Sequence, residues 1–164
     1  MKLYVKEKFF TWVKDFSVYD TSGRERYHVS GEFMTFAHKL HVTDPDGRER
    51  AFVRSIPFRW HPTFVVEVGG REVCRIIKEF TFLRPYYRFE GIDWIIEGRS
   101  WAHDYTITSP SGTVATISKE WFTLGDAYEI DIADSADEMA VLAAVLTIDC
   151  VLASQSAAAA TSAT

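Results

Sequence analysis

The sequence predicts a mainly β protein, with about 12 antiparallel strands closing into a barrel around a hydrophobic C-terminal helix. Three observations support this. An aromatic-rich pattern recurs about every 24 residues, turn-forming residues separate short stretches of alternating polarity, and one long apolar stretch near the C-terminus has no polar face. An internal repeat of this length indicates that the architecture is built from copies of one supersecondary unit.

The repeat is clearest in the first half of the chain. Residues 9–18 align with 33–42 without a gap at an offset of 24, and residues 57–66 continue the series. Later copies begin near residues 80, 100 and 121, which gives six units. The large apolar positions of the third copy are Phe58, Trp60, Phe64 and Val66. We expect such recurring aromatic positions to lie in the core rather than to stack on nucleic-acid bases.

Each unit contains the signals of a β-hairpin. Residues 40–43 and 105–108 alternate between apolar and polar side chains, which is the period of a half-buried strand. The predicted turns, each with glycine, are residues 20–23, 44–47, 69–70 and 109–112. Two strands in each of six units give about 12 strands in a meander, and closure into a barrel removes the exposed edges.

A barrel of this size is too wide for its own side chains to fill, since about eight strands already enclose a just-filled interior. A largely apolar segment, about 136–153, is therefore predicted to form a helix on the barrel axis, with Ser135 as N-cap and Glu138 completing a capping box. Residues 1–153 would form a single domain, and the low-complexity tail 154–164 is expected to be mobile or frayed.

The composition and charge of the chain limit where the protein is expected to act and which partners it is expected to bind. The chain has 164 residues, a net charge of −5 and a pI near 5.5, which argues against nonspecific nucleic-acid binding. It shows neither a signal peptide nor an apolar run long enough to span a membrane, so we expect a cytoplasmic monomer, compatible with peripheral membrane contact. Cys74 and Cys150 are expected to be reduced core thiols, and no cofactor is expected.

Several segments together resemble the LURP-one-related family. These are residues 8–11, 91–98 and 123–133, followed by an apolar helix that ends in Ile148-Asp149, and the likeness covers residues 1–153. That family is similar to the tubby C-terminal domain and the phospholipid scramblases, which share a 12-stranded barrel around a central hydrophobic helix. The resemblance implies the same fold. The resemblance implies less about function, because these related proteins differ in what they do. Plant members of the family are associated with defence, tubby domains with phosphoinositides and scramblases with lipid movement.

The expected function is that of a non-enzymatic module that binds anionic phospholipid headgroups or a protein partner. Two alternatives remain open. One is a scramblase-like lipid-handling protein in which the helix contacts the membrane, and the other is an enzyme with a site near Asp149. The sequence contains no recognised nucleotide-binding, zinc-ligating or nucleophile motif, although residues brought together only by the fold could still form a catalytic site.

The candidate ligand site is a repeated Gly-Arg-Glu-Arg motif. Arg24 and Arg26 recur 24 residues later as Arg48 and Arg50, and neighbouring hairpins could bring the two pairs together. Four guanidinium groups would suit a phosphorylated headgroup, because each offers a planar pair of donors. Such a site predicts binding that weakens with salt and on Arg→Glu substitution. The alternative interpretation is a solvated surface in which the glutamates offset the arginines.

Acidic residues form the other candidates. Asp131, Asp134 and Asp137 precede the helix and are weak candidates for a metal site, but their spacing is not that of an EF-hand, and a helix dipole explains acids at this position. No metal is therefore expected. Asp149 lies within the otherwise apolar helix, where a carboxylate is costly unless it pairs or reaches solvent at the point where the helix emerges. Its own face of the helix is apolar, so any partner must come from the barrel wall.

Overall fold

The computed structural model describes residues 1–6, 15–34, 37–79, 86–99, 104–122 and 125–162. In chain order these form 12 strands and one helix: β1 (Lys2–Lys6), β2 (Asp15–Asp20), β3 (Glu25–Met34), β4 (Ala37–Thr43), β5 (Glu49–Ile56), β6 (Thr63–Val68), β7 (Arg71–Glu79), β8 (Tyr86–Glu90), β9 (Ile95–Arg99), β10 (Asp104–Ser109), β11 (Gly112–Phe122), β12 (Gly125–Ile132) and α1 (Glu138–Ser162).

The strands form one antiparallel sheet that curls into a nearly closed barrel. Its order is β8-β7-β6-β5-β4-β3-β2-β1-β12-β11-β10-β9, so every ladder but one joins strands that are consecutive in sequence. The exception is β1, which pairs with β12 from Lys2 opposite Asp131 to Lys6 opposite Ala127. Strands β8 and β9 are the two edges of the sheet, and residues 91–94 connect them. The predicted 12-stranded barrel is thus confirmed.

The six repeat units do not each contribute two strands, as the sequence predicted. The first unit begins at residue 9, after β1, and the sixth unit supplies β12 followed by the helix instead of a second strand. The count of two strands in each of six units is therefore wrong, although the total of 12 is right. The strand that the sixth unit lacks is replaced by β1, whose pairing with β12 joins the two ends of the meander.

Each of the two Gly-Arg-Glu-Arg motifs begins in a turn, and the two turns have the same hydrogen bonds. In the first turn the amide of Gly23 donates to the carbonyl of Asp20 at 3.0 Å, and the amide of Arg24 donates to the Asp20 carboxylate at 3.1 Å. Asp44 accepts the equivalent bonds from the amides of Gly47 and Arg48, both at 2.9 Å. Both glycines have a positive φ, 77° and 79°. The shape of the turn therefore accounts for the recurring aspartate, which accepts these bonds, and for the recurring glycine, which reverses the chain.

The helix fills the lumen of the barrel. From Met139 to Val151, every residue except Asp149 is at most 8% exposed. Apolar side chains of the strands, among them Leu3, Val29 and Ile117, belong to the same core cluster. An all-round apolar helix is stable in water only when protein surrounds it, so the barrel wall and the helix depend on each other.

The helix begins two residues later than predicted and ends later. Its first residue is Glu138, and the amide of Ala140 donates to the carboxylate of Asp137 at 2.9 Å, so Asp137 is the N-cap. The prediction of Ser135 as N-cap is wrong because an aspartate stands at the position directly before the helix. The predicted end at residue 153 is also wrong, since the alanine-rich tail continues the helix to Ser162.

The two ends of the barrel differ in their connections. We call the end that carries the connections 21–24, 44–48, 69–70, 91–94, 110–111 and 133–137 the turn end. The opposite end, which we call the loop end, carries the β5–β6 connection at residues 57–62. The helix begins at the turn end.

Candidate functional site

The four arginines predicted to bind an anion all lie at the turn end, and each is close to a carboxylate. The pairs are Arg24 with Asp20 at 3.3 Å, Arg26 with Glu138 at 2.9 Å, Arg48 with Asp46 at 2.9 Å and Arg50 with Asp44 at 3.5 Å. An anionic ligand would have to displace these carboxylates. The proposed headgroup site at these residues stays a prediction.

Arg26 belongs to a helix clamp, which we define as Arg26, Tyr27 and Glu138. Two nitrogens of Arg26 donate to the two carboxylate oxygens of Glu138 at 2.9 and 3.0 Å, and the Tyr27 hydroxyl donates to Glu138 at 2.7 Å. Burial, with the Glu138 contact adding to it, raises the pKa of Tyr27 to about 12. The clamp joins the first residue of the helix to β3 and favours the ionised form of Glu138.

The clamp predicts a pH-dependent contribution to stability. Burial alone would raise the pKa of Glu138, but the hydrogen bonds from Arg26 and Tyr27 outweigh it and lower that pKa below its ordinary value. A lowered pKa in the folded state stabilises the protein above the unfolded pKa of about 4.3, and this contribution is lost as the pH falls through the folded pKa. We expect Glu138→Gln to reduce the free energy of unfolding by about 1 kcal/mol at pH 7, and by less at pH 3, because more of the carboxyl is protonated in the folded state at the lower pH.

Urea unfolding at the two pH values measures this difference. Glu97→Gln is the matched control, because Glu97 is exposed on β9 and the same substitution there should change stability little at either pH. An equal loss for Glu138→Gln at pH 7 and pH 3 would contradict an ionic clamp.

The acidic residues before the helix have separate structural roles. The carboxylates of Asp131 and Asp134 each lie 3.8 Å from the N-terminal amine of Met1, and Asp137 caps the helix. Within the described parts of the chain, no three His, Cys, Asp or Glu side chains are grouped so that they could hold a metal ion. The three aspartates are thus not brought together as one candidate centre.

Asp149 lies in a polar cluster inside the barrel, defined by Asp149, Tyr87, Tyr105 and Tyr128. The Tyr128 hydroxyl, from β12, donates a short hydrogen bond to the Asp149 carboxylate, so the partner comes from the barrel wall as expected. Tyr87 and Tyr105 are each 2% exposed, and no residue of the described structure offers their hydroxyls a hydrogen bond. Burial, followed by the nearby charge of Asp149, raises the pKa of both phenols.

The loop end presents a feature that the sequence reasoning missed. Phe64 and Val66 are buried as predicted, at 4% and 0% exposure, but Phe58 and Trp60 are 91% and 87% exposed. The prediction that these two aromatics lie in the core is therefore wrong. Prolines 57 and 62 on either side of them were the available signal, because two prolines so close together are typical of a loop rather than a strand.

Along the chain segments that the structure describes, no helix combines the length and the apolar character needed to cross a membrane.

The 12-stranded barrel filled by a single C-terminal helix defines a protein of the tubby-like fold. The fold is similar to an X-ray structure of a protein from Arabidopsis thaliana, with a TM-score of 0.65 and 12% identity over 92% of this chain and 90% of that one. The model of the LURP-one-related family matches residues 1–149, and the chain belongs to that family. It is 28% identical over 152 residues to the uncharacterized protein YxjI of Bacillus subtilis, covering 93% of this chain and 94% of that one.

Proposed function

We propose that the protein is a non-catalytic binding module that attaches to surfaces containing anionic phospholipids. The observation that carries this proposal is the filled lumen, because helix residues Met139 to Val151 occupy the space in which a barrel of this width would hold a ligand. Binding then takes place at the ends or on the outer wall of the barrel. The anionic class of ligand is supported by exposed guanidinium groups and by the likeness of the family to phosphoinositide-binding tubby domains.

The buried polar groups also support a non-enzymatic role. Tyr87 and Tyr105 face Asp149 from within the core, where a substrate would have to displace packed side chains to reach them. Burial raises the pKa of both cysteine thiols to about 12, which keeps Cys74 and Cys150 protonated and weakly nucleophilic at neutral pH. These groups are therefore better suited to holding the helix in place than to chemistry.

A scramblase-like role would require the helix to leave the barrel. The Asp137 cap, the helix clamp and the bond from Tyr128 to Asp149 all hold it there. Its departure would also expose the apolar inner faces of the strands. The contacts of the helix therefore favour a surface that binds lipid over one that moves it.

Vesicle co-sedimentation of the unmodified protein tests the proposed function. We expect binding to phosphatidylcholine vesicles that contain phosphatidylserine or a phosphoinositide, weaker binding as salt is raised, and little binding to phosphatidylcholine alone. Absence of binding to every vesicle at low salt would contradict the proposal and favour a protein partner.

A further inference from the structure

The β5–β6 loop carries the two most exposed large hydrophobic side chains of the described structure. Phe58 and Trp60 project from residues 57–62 with 91% and 87% of their surface exposed. The base of the loop is fixed, because the amide of Lys78 on β7 donates to the carbonyl of Pro62 at 2.9 Å and His61 lies 3.2 Å from the carbonyl of Lys78. The aromatic tip therefore stands on an anchored base.

The backbone at the tip adopts a costly conformation. Phe58 has a φ of 58°, and it is the one residue other than glycine with a positive φ among those the structure describes. A bulky side chain is strongly disfavoured in this region, where glycine is the usual choice. Strained backbone conformations of this kind cluster at binding sites and active sites.

The charges of the two ends indicate the chemistry of a bound partner. The loop contains exposed Arg59 between its two aromatics and no acidic residue. Glu79 lies 3.4 Å from His61 at the base of the loop, while every arginine of the repeated motif at the turn end is matched by a carboxylate. The exposed guanidinium of Arg59 between two exposed aromatic side chains therefore gives the tip a composition that suits an anionic surface.

We infer that the β5–β6 loop is a membrane-docking tip, with Phe58 and Trp60 inserting into the interfacial region of an anionic bilayer and Arg59 contacting phosphate groups. The inference rests on the proposed function and assigns it to this end of the barrel. Amphipathic aromatic side chains favour the interface between lipid headgroups and acyl chains, and a neighbouring cation adds attraction to anionic lipid.

The size of the tip favours a membrane over a folded protein partner. Two large aromatic side chains offer roughly 300–500 Å² of contact surface. A stable protein interface takes about 800 Å² from each partner, so the tip alone is too small to hold one. A bilayer needs no such matching surface, because affinity grows with whatever apolar area is inserted.

The test compares variants of the two ends on vesicles of phosphatidylcholine with phosphatidylserine. We expect the double variant Phe58→Gly and Trp60→Ser to bind at least tenfold more weakly than the unmodified protein. Glycine relieves the backbone strain at position 58, so the melting temperature should stay equal or rise while binding falls. A purely structural role would not weaken binding while the melting temperature stays equal or rises.

Two controls separate insertion from general effects of charge and hydrophobicity. Arg59→Gln and Arg48→Gln remove the same charge from opposite ends, and only Arg59→Gln should weaken binding several-fold. Ile95→Ser removes an exposed apolar side chain, 51% exposed, from β9 and should leave binding unchanged. If the unmodified protein binds and the double variant binds equally well, the inferred docking role of the β5–β6 loop is wrong, while the proposed function stands. If the unmodified protein binds no vesicle, both fail.

Discussion

Replacing Gly98 with alanine is expected to lower the free energy of unfolding by about 3–5 kcal/mol, the largest effect predicted for a single substitution in this protein. Gly98 lies on β9 opposite Tyr105 and has a φ of 112°. A Cβ atom there would lie 2.7 Å from the carbonyl oxygen of Asp104 and 3.0 Å from the Cα of Tyr105, both of which are backbone atoms. A backbone cannot yield without disturbing the ladder between β9 and β10.

Gly112→Ala is the matched control. Gly112 has a similar φ of 122°, but no atom lies within 4 Å of the position that its Cβ would take. Alanine at this position should therefore cost only the conformational strain, about 1–2 kcal/mol. Urea unfolding of the two variants separates strain from contact, and equal losses would show that the close approach of β9 and β10 is unimportant.

The second large effect is expected for Tyr128→Phe, which removes the hydroxyl that donates to Asp149. Tyr128 is 1% exposed, and a hydrogen bond to a charged group contributes about 1.5–3 kcal/mol. Asp149 interrupts the buried stretch of the helix, and the Tyr128 hydroxyl reaches its carboxylate from the barrel wall. We expect Tyr128→Phe to destabilise the protein by that amount in chemical unfolding.

Tyr105→Phe provides the comparison from the same cluster. Its hydroxyl is buried, and none of the residues that the structure describes pairs with it. Removing such a group is expected to be neutral or slightly stabilising, since no hydrogen bond is lost. A loss for Tyr105→Phe as large as that for Tyr128→Phe would indicate that the cluster acts as one network around Asp149.

The positions of the arginines and of the exposed aromatics bear on how the protein would approach a membrane. The repeated arginines at the turn end are bound to carboxylates, whereas Phe58 and Trp60 stand at the loop end. A protein attached by one end would present the other to the solvent. The vesicle experiments on Arg48 and Arg59 therefore also decide between the two predicted orientations.

The sequence alone determined the main features of the fold, because they depend on local patterns. Alternating polarity in residues 40–43 and 105–108 specifies strands, and Asp and Gly at fixed spacing specify the turns after β2 and β4. The apolar run that begins at Met139 has no polar face, which requires a protein environment on all sides. Periodicity and turn chemistry act over a few residues and can be read without knowing the fold.

The tertiary structure alone decided the features that depend on contacts between distant residues. The pairing of β1 with β12 makes the first strand complete the barrel, and the arginine motif is bound by acids that include Glu138, 112 residues from Arg26. The prolines at 57 and 62 indicate a loop around Phe58 and Trp60, but the exposure of these side chains depends on where β5 and β6 end in the barrel. A repeat shows which positions are equivalent, but the burial of each depends on the elements packed around it, which sequence spacing does not specify.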